Sequence, residues 1–517
     1  MDGRTGAGMP HAIGIDVGTT NVKVALVDSE GKLFASAART IPTRRAGEVA
    51  EQDAGALWNA VKGSIAEAAA AAPSAASEVA VIGCCSQYSS IVPVDGDAAP
   101  VADMVLWQDK RGTDHSWELL GREGVFETWL TRHGIPPVGN GLSLAHILHL
   151  QKDRPDVHAM TTAYLEPMDY VNARLTGRIV ANQCTMFMSQ LCDNRRLGVT
   201  EYDETLLELA GVDPRKLPPL DGLADPAGTL LPALAAELGL PEDVVVMGGM
   251  NDSHADVVAT GALMPGRAGL AIGTTTVLVD VVDRHGVDLD HEVLSMPSPF
   301  GTYLVWAENG MGGRALEFVL DSIVHAADEL GDHTSADVFA GLDAAIERAP
   351  AGSNGVLFLP WLNGSLSPDA NPSMRGAYLN LSLENRRTDL IRAVTEGIGH
   401  NLRWLVPIVE AFTNRGIDEL AFVGGAARSP AWGQVLADML GRPVLPMVDP
   451  DRAVARGVAL FALERHGDLD RDDLGRLAVT ARRYEPRDEH RAVYDAMHEQ
   501  FLASFEALRP IFEALNP

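Results

Sequence analysis

Ile13-Gly14-Ile15-Asp16-Val17-Gly18-Thr19-Thr20-Asn21-Val22-Lys23-Val24-Ala25-Leu26-Val27-Asp28 is the stretch on which the fold turns. Apolar residues at 13, 15 and 17 and at 22, 24 and 26 alternate with period two, which reads as two half-buried strands. Gly18-Thr19-Thr20-Asn21 between them is short enough for a hairpin turn and rich in backbone and hydroxyl donors. Asp16 ends the first strand, facing that turn. Two readings fit: an ordinary hairpin with a polar tip, or a turn that takes a phosphate while Asp16 takes its cation or the cation's water.

The pattern returns in the second half of the chain. Residues 272–283, Ile-Gly-Thr-Thr-Thr-Val-Leu-Val-Asp-Val-Val-Asp, align without gaps to 17–28, and seven of the twelve positions are identical. A near-copy opening each half points to a duplicated domain. Asp16 is matched by Ala271, so only the first copy carries the carboxylate. That asymmetry suggests one nucleotide between two domains, its cation on the N-terminal side.

At 517 residues the chain has room for two to four domains, and 46% hydrophobic residues provide ample core. The formal net charge of −29 disfavours nucleic acid and anionic membrane as partners. Four cysteines, at 84, 85, 184 and 192, argue for a reducing compartment, and no Cys-x-x-Cys pair suggests structural zinc. Residues 1–10 show no apolar core of signal-peptide length and no transmembrane run follows, so a cytoplasmic protein is expected.

Strands alternate with helices along the chain, which implies an α/β architecture with a partly parallel sheet. A third strand is expected over 32–40, and a helix after Asp53 carrying Leu57, Trp58, Val61 and Ile65, with Asp53 as its N-cap. A buried strand is expected at 78–85. Helices are expected at 141–151 and 164–175, and 214–232 reads as a loop-heavy connection. After a strand at 244–247, Gly248-Gly249 turns the chain and Asp252 caps a helix. The Gly261–Gly269 stretch is the candidate domain boundary.

Several chemistries find no motif. There is no Gly-x-x-x-x-Gly-Lys-Ser/Thr, no His-Glu-x-x-His and no Gly-x-Ser-x-Gly. The Gly310–Ala315 turn loosely fits a dinucleotide pattern, but no strand about 20 residues on ends in the required acid. Asp252 is more informative. At a helix N-terminus its carboxylate is expected to be ionised and ready to take a proton from an alcohol, as phosphoryl transfer to a hydroxyl requires. The bland reading is a plain N-cap aspartate, with Asp256 a favourable first-turn charge. Gly424-Gly425-Ala426-Ala427-Arg428 allows a backbone to approach a ligand closely. Gln87, Trp107, Gln108 and Asp109 sit at strand ends and suit a polyhydroxylated substrate, with core packing the equal alternative for Trp107. His11, His133 and His254 show no metal-ligand spacing.

These pieces, in this order from Ile13 to beyond Tyr494, resemble the FGGY carbohydrate kinases. Their fold is two duplicated ribonuclease H-like, actin-like ATPase domains around a cleft, shared with hexokinase, actin and the Hsp70 chaperones. The likeness rests on Asp16–Thr20, Glu51-Gln52-Asp53 with Trp58, Ser86-x-Tyr88, Trp107–Arg111, Asp169-Tyr170 with Leu175-Thr176-Gly177, and Gly249–Asp252. In the second half it rests on Ile272-Gly273-Thr274, Arg375-Gly376, Arg392-Ala393 with Glu396-Gly397, and Gly424–Ser429.

The resemblance implies ATP- and Mg2+-dependent phosphorylation of a sugar or polyol hydroxyl. It divides the chain into an N-terminal kinase domain at 11–260, a C-terminal nucleotide domain at 261–465 and a helical tail at 466–517. By position Asp252 is the expected base, and Asp16 acts at the metal. Gly18, Thr19, Thr20, Lys23, Gly273, Thr274, Gly312, Gly424, Gly425 and Ser429 are expected around the nucleotide. Gln87, Tyr88, Trp107, Asp109 and Asp252 are expected around the sugar. Tyr88-Ser89 stands where glycerol kinases carry Arg-Glu and xylulose kinases Met-His, and His146 where many members carry lysine. A ketopentose such as xylulose is the favoured substrate, with a polyol or a gluconate-like sugar acid next. An actin- or Hsp70-like ATPase, or a sugar sensor without kinase activity, is the reading from another class. Oligomeric state is not legible, and a homodimer is kept in view.

Overall fold

The computed structural model describes residues 9–139, 141–329, 331–335 and 337–516; positions 1–8, where no signal segment was expected, lie outside them. The opening hairpin is β1 (His11–Val17) and β2 (Asn21–Asp28), paired antiparallel so that Asp16 lies opposite Lys23. β3 (Leu33–Thr40) pairs with β2, and β4 (Val79–Ser86) runs parallel to β1. β5 (Pro226–Thr229), β6 (Val245–Met247) and β7 (Met250–Asn251) complete a seven-stranded sheet, with β6 and β7 parallel to β4.

The second sheet also has seven strands: β8 (Arg267–Ile272), β9 (Thr275–Val282), β10 (Val287–Asp288), β11 (Val293–Pro297), β12 (Tyr303–Met311), β13 (Glu419–Val423) and β14 (Val444–Pro446). Its order β12-β9-β8-β13-β14 repeats β3-β2-β1-β4-β6 of the first, with the same alternation of two antiparallel and two parallel pairings. The duplication read from one hairpin therefore extends to five strands of each sheet.

The helices follow their sequence signals. α1 (Ala54–Ala71) is capped by Asp53, whose Oδ1 accepts from the N–H groups of Gly55 (2.7 Å) and Ala56 (3.0 Å). α2 (Ser143–Asp153) is shifted two residues from the expected 141–151, and α3 (Pro167–Thr176) starts three residues later than expected because 163–165 forms a strand and Pro167 starts the helix. Residues 214–232 are not all loop, since β5 lies among them. α4 (Asp252–Thr260) follows β7, and α5 (Gly313–Val319) follows β12. Beyond them lie α6 (Arg387–Thr413), α7 (Pro430–Leu440), α8 (Ala453–His466) and α9 (Asp488–Leu515).

One buried cluster packs α1 against the first sheet, and a second packs α6 and α7 against the other. A third, built from α4, α8 and facing residues of both sheets such as Val27, Val81, Val279 and Leu304, joins the halves. Here α8 lies so close to β1 that a Cβ on Gly14 would stand 1.8 Å from the Ala455 carbonyl oxygen. Only glycine fits there.

Candidate active site

The two hairpin turns face one cavity of about 410 Å³. From the first half it is lined by Thr19, Gln87, Tyr88, Ser89, Trp107, Asp252, Ser253 and Asp256. From the second come Ala271, Gly273, Thr274, Thr275, Val277, Trp306 and Glu308. The site lies at strand ends, where α/β sheets place ligands.

Thr19 organises one wall. Its hydroxyl donates to Gln87 Oε1 (2.6 Å) and accepts from the Trp107 indole N–H (3.2 Å), while Gln52 Nε2 donates to its carbonyl (2.6 Å). The Thr19 hydroxyl, expected at a phosphate, is thus engaged with two residues expected at the sugar; its backbone remains at the turn. Gln87 is buried, yet its Nε2 has no partner among the described residues. A buried amide donor beside a cavity calls for an acceptor from a ligand. Asp109 lies off the lining. It is buried in ion pairing with Arg111 (2.8 Å) and accepts from the Ala50 N–H (2.9 Å), so its carboxylate braces the wall behind Trp107.

Asp252 departs from the sequence reading in two ways. Asn251 is the N-cap and Asp252 the first helical residue, its Oδ1 accepting from the Ser253 N–H (2.8 Å). Its carboxyl is not held ionised by the helix end. Burial, and then the nearby Asp16 carboxylate, push its pKa up to about 7. Asp16 is itself buried and raised, for the same reason, with Lys23 and the Cys85 thiol working the other way. Asp256 is raised by burial and by both other aspartates. Dismissed in the sequence as a helix-end charge, it lines the cavity one turn beyond Asp252; that spacing was the available signal.

Trp306 and Glu308 were missed altogether. They alternate along β12 with buried Val305 and Ala307, so a period-two reading of 303–308 would have put them on one face. Trp306 meets Tyr88 edge-on across the cavity, ring centroids 6.5 Å apart.

Beside the second turn, Gly312 and Gly313 donate backbone N–H groups to the carbonyls of Thr274 (3.0 Å) and Gly273 (2.7 Å). Gly424 has φ +89°, and a Cβ on it would stand 2.5 Å from the Ile272 carbonyl oxygen, so it presses the β13 turn against this hairpin. Space around Gly273 is open. Ser429 caps α7, accepting from the Trp432 N–H (3.1 Å) and donating to Asp343. Thr20 is exposed at the first turn, where its carbonyl accepts from the Ile41 N–H (2.8 Å). Gly425 follows Gly424, with only the Arg428 side chain near its α-carbon face. His146 is buried in α2, off the lining, its pKa pulled down to about 4 by burial.

Two duplicated domains around a carboxylate-lined cleft are the arrangement of the actin-like ATPase fold, to which sugar kinases belong. Residues 11–259 match the N-terminal domain of the FGGY family of carbohydrate kinases and residues 270–464 its C-terminal domain. The chain belongs to that family, and is a phosphotransferase acting on an alcohol group. It is 27% identical over 461 residues to a xylulose kinase of Bacillus subtilis, covering 88% of each chain. To a gluconokinase of the same organism it is 22% identical over 468 residues, 90% of this chain and 89% of the other. Its fold is also that of a crystal structure of gluconate kinase from Lactobacillus acidophilus, with TM-score 0.85, 22% identity and coverage of 98% of this chain and all of the other. Among the described residues no helix is long and apolar enough to cross a membrane.

Proposed function

We propose that this chain transfers the γ-phosphate of ATP to a hydroxyl of a neutral sugar, a ketopentose such as xylulose, with Mg2+ held on the Asp16 side of the cleft. The observation that carries the choice of substrate is the charge of the cavity. Asp252, Asp256 and Glu308 line it, and among its described lining residues there is no lysine or arginine. A gluconate-like acid would bring a carboxylate into that field without a counter-charge. Gln87 Nε2, Trp107 and the carboxylates instead suit hydroxyl groups.

The donor set fits Mg2+. Among the described residues no three Asp, Glu, His or Cys side chains are disposed to cage a metal by themselves. Mg2+ does not need that, since it is held by one or two carboxylates with water and phosphate oxygens. Asp16, with Asp252 and Asp256 raised first by burial and then by the neighbouring carboxylates, offers such hard oxygen donors. Bound there, the ion supplies positive charge to the phosphate oxygens.

Asp252 orients the acceptor hydroxyl and takes its proton as the phosphoryl group leaves ATP. A carboxylate with its pKa near 7 is a better base at neutral pH than an ordinary aspartate. Gln87 and Trp107, locked together through Thr19, bind the sugar on the N-terminal side. The turn at Gly18, Thr19 and Thr20, with Lys23, and the turn at Gly273 and Thr274 receive the phosphates. Gly425 leaves room for the rest of the nucleotide, beside a turn that Gly312 and Gly424 hold against the second hairpin. The sugar side of this division is 11–260, the nucleotide side 261–465, and 466–517 is a helical tail. ADP release measured over matched panels of ketopentoses, polyols and aldonates tests the reading. A neutral ketopentose is expected to give the highest kcat/KM, and an aldonate preferred over every neutral sugar would overturn it.

A further inference from the structure

The sugar wall on the N-terminal side is accounted for, but Glu308 on the opposite side is not. It projects from β12 on the same face as Trp306 and lines the cavity together with Tyr88 and Asp252. Its negative charge is close enough to both to raise their pKa values. Among the described residues nothing hydrogen-bonds to the Glu308 carboxylate or forms an ion pair with it, although its backbone lies in the ladder with β9. Burial, and then the nearby Glu292 carboxylate, push the pKa of Glu308 up to about 7, so at neutral pH it carries its charge in only part of the population. An unpartnered carboxyl in such a place is costly, and proteins keep one where a ligand completes it.

We propose that Glu308 is a specificity-determining residue, accepting a hydrogen bond from a sugar hydroxyl other than the one phosphorylated and repelling sugars that carry a carboxylate. Three features agree. Trp306, two residues back on the same face, provides an apolar surface beside it for the carbon face of a sugar, and meets Tyr88 from across the cleft. Val277, opposite Glu308 in the β9–β12 pairing, also lines the cavity and leaves the carboxylate as the polar group at that point of the sheet. Gly312 lies four residues on, at the end of β12 beside the second phosphate turn, so one strand carries a sugar contact and a nucleotide contact. The sugar would then be read from both halves of the molecule, and the second half would set its charge.

This inference rests on the kinase reading above, and the test keeps the two apart. Glu308→Gln preserves shape and removes the charge; Glu308→Asp keeps the charge and shortens the reach. Each is assayed against the best neutral ketopentose and against the aldonate of matching length, with the ATP KM as a check that the nucleotide half is intact. Both variants are expected to raise the KM for the ketopentose about tenfold with the ATP KM unchanged, Glu308→Gln because a charge-assisted hydrogen bond becomes a neutral one and Glu308→Asp because the shortened side chain falls short of the hydroxyl. Glu308→Gln, and not Glu308→Asp, is expected to narrow the preference for the neutral sugar over the aldonate. Wild-type kinetics toward both sugars in Glu308→Gln would overturn the assignment while leaving the ketopentose activity standing. Failure of the wild-type enzyme on every neutral sugar would instead remove the reading beneath it.

Discussion

At the scale of single residues, the cleft is governed by carboxylates that share one low-dielectric space. Asp252 has its pKa pushed up to about 7 by burial and by Asp16, while its unfolded value is that of an ordinary aspartate, 3.8. A carboxyl raised on folding lends stability that is fully present below its unfolded pKa and is lost as pH rises through the folded one. Without ligands and Mg2+, the protein should therefore melt at a lower temperature at pH 8 than at pH 5. Asp252→Asn removes one titrating group and should shrink that difference without abolishing it, because Asp16, Asp256 and Glu308 are raised in the same direction. Thermal melts of both proteins across that range measure it; a wider gap in the variant would refute carboxyl burial as the cause. That a helix starts at this point was legible in the sequence, but its cap, which is Asn251, and the protonation of Asp252 were not. A helix N-terminus favours the anion, and only the fold brings Asp16 and burial together to outweigh it.

At the scale of elements, the hairpin was the most legible feature. Its period-two pattern needs no tertiary context, and its near-copy marked the second sheet. The Asp53 cap and the strands at 79–86 and 419–423 follow equally local signals. Glu308 and Trp306 escaped because attention in this stretch went to the glycine turn that begins at Gly310, and only the meeting of two sheets gives the face they share a purpose. Gly424 shows a different limit. The sequence suggested room for a ligand, whereas the structure shows contact with Ile272 through a backbone at φ +89°. Gly424→Ala should cost at least about 1–3 kcal/mol in stability and displace the Gly273–Thr274 turn. The expected kinetic result is a raised ATP KM with the sugar KM nearly unchanged, and a variant impaired toward sugar alone would contradict this placement of the nucleotide.

At the scale of the whole molecule, the halves are joined by elements that cross between them. α8 presses on β1 at Gly14, and α4 carries Asp252 into the seam. His254 on α4 hydrogen-bonds the Pro297 carbonyl of the second sheet (2.9 Å). The tail helix α9 is anchored by Tyr494, whose hydroxyl accepts from Arg392 (2.8 Å) and donates to Glu396 (2.8 Å). Further along α9, Phe501 and Phe505 pack on Trp361. Tyr494→Phe leaves the buried Arg392–Glu396 ion pair short of a partner and should cost about 1–3 kcal/mol, read as a lower urea midpoint, with both KM values unchanged.

Asp252, above every other residue, is held to drive phosphoryl transfer to a sugar hydroxyl in this cleft. The most direct test is ketopentose-dependent ADP release by wild-type protein and by Asp252→Asn at saturating ATP and Mg2+. A fall in kcat of about 10²–10⁴-fold with the ATP KM retained is expected. A variant that keeps most of its sugar-dependent turnover would contradict it.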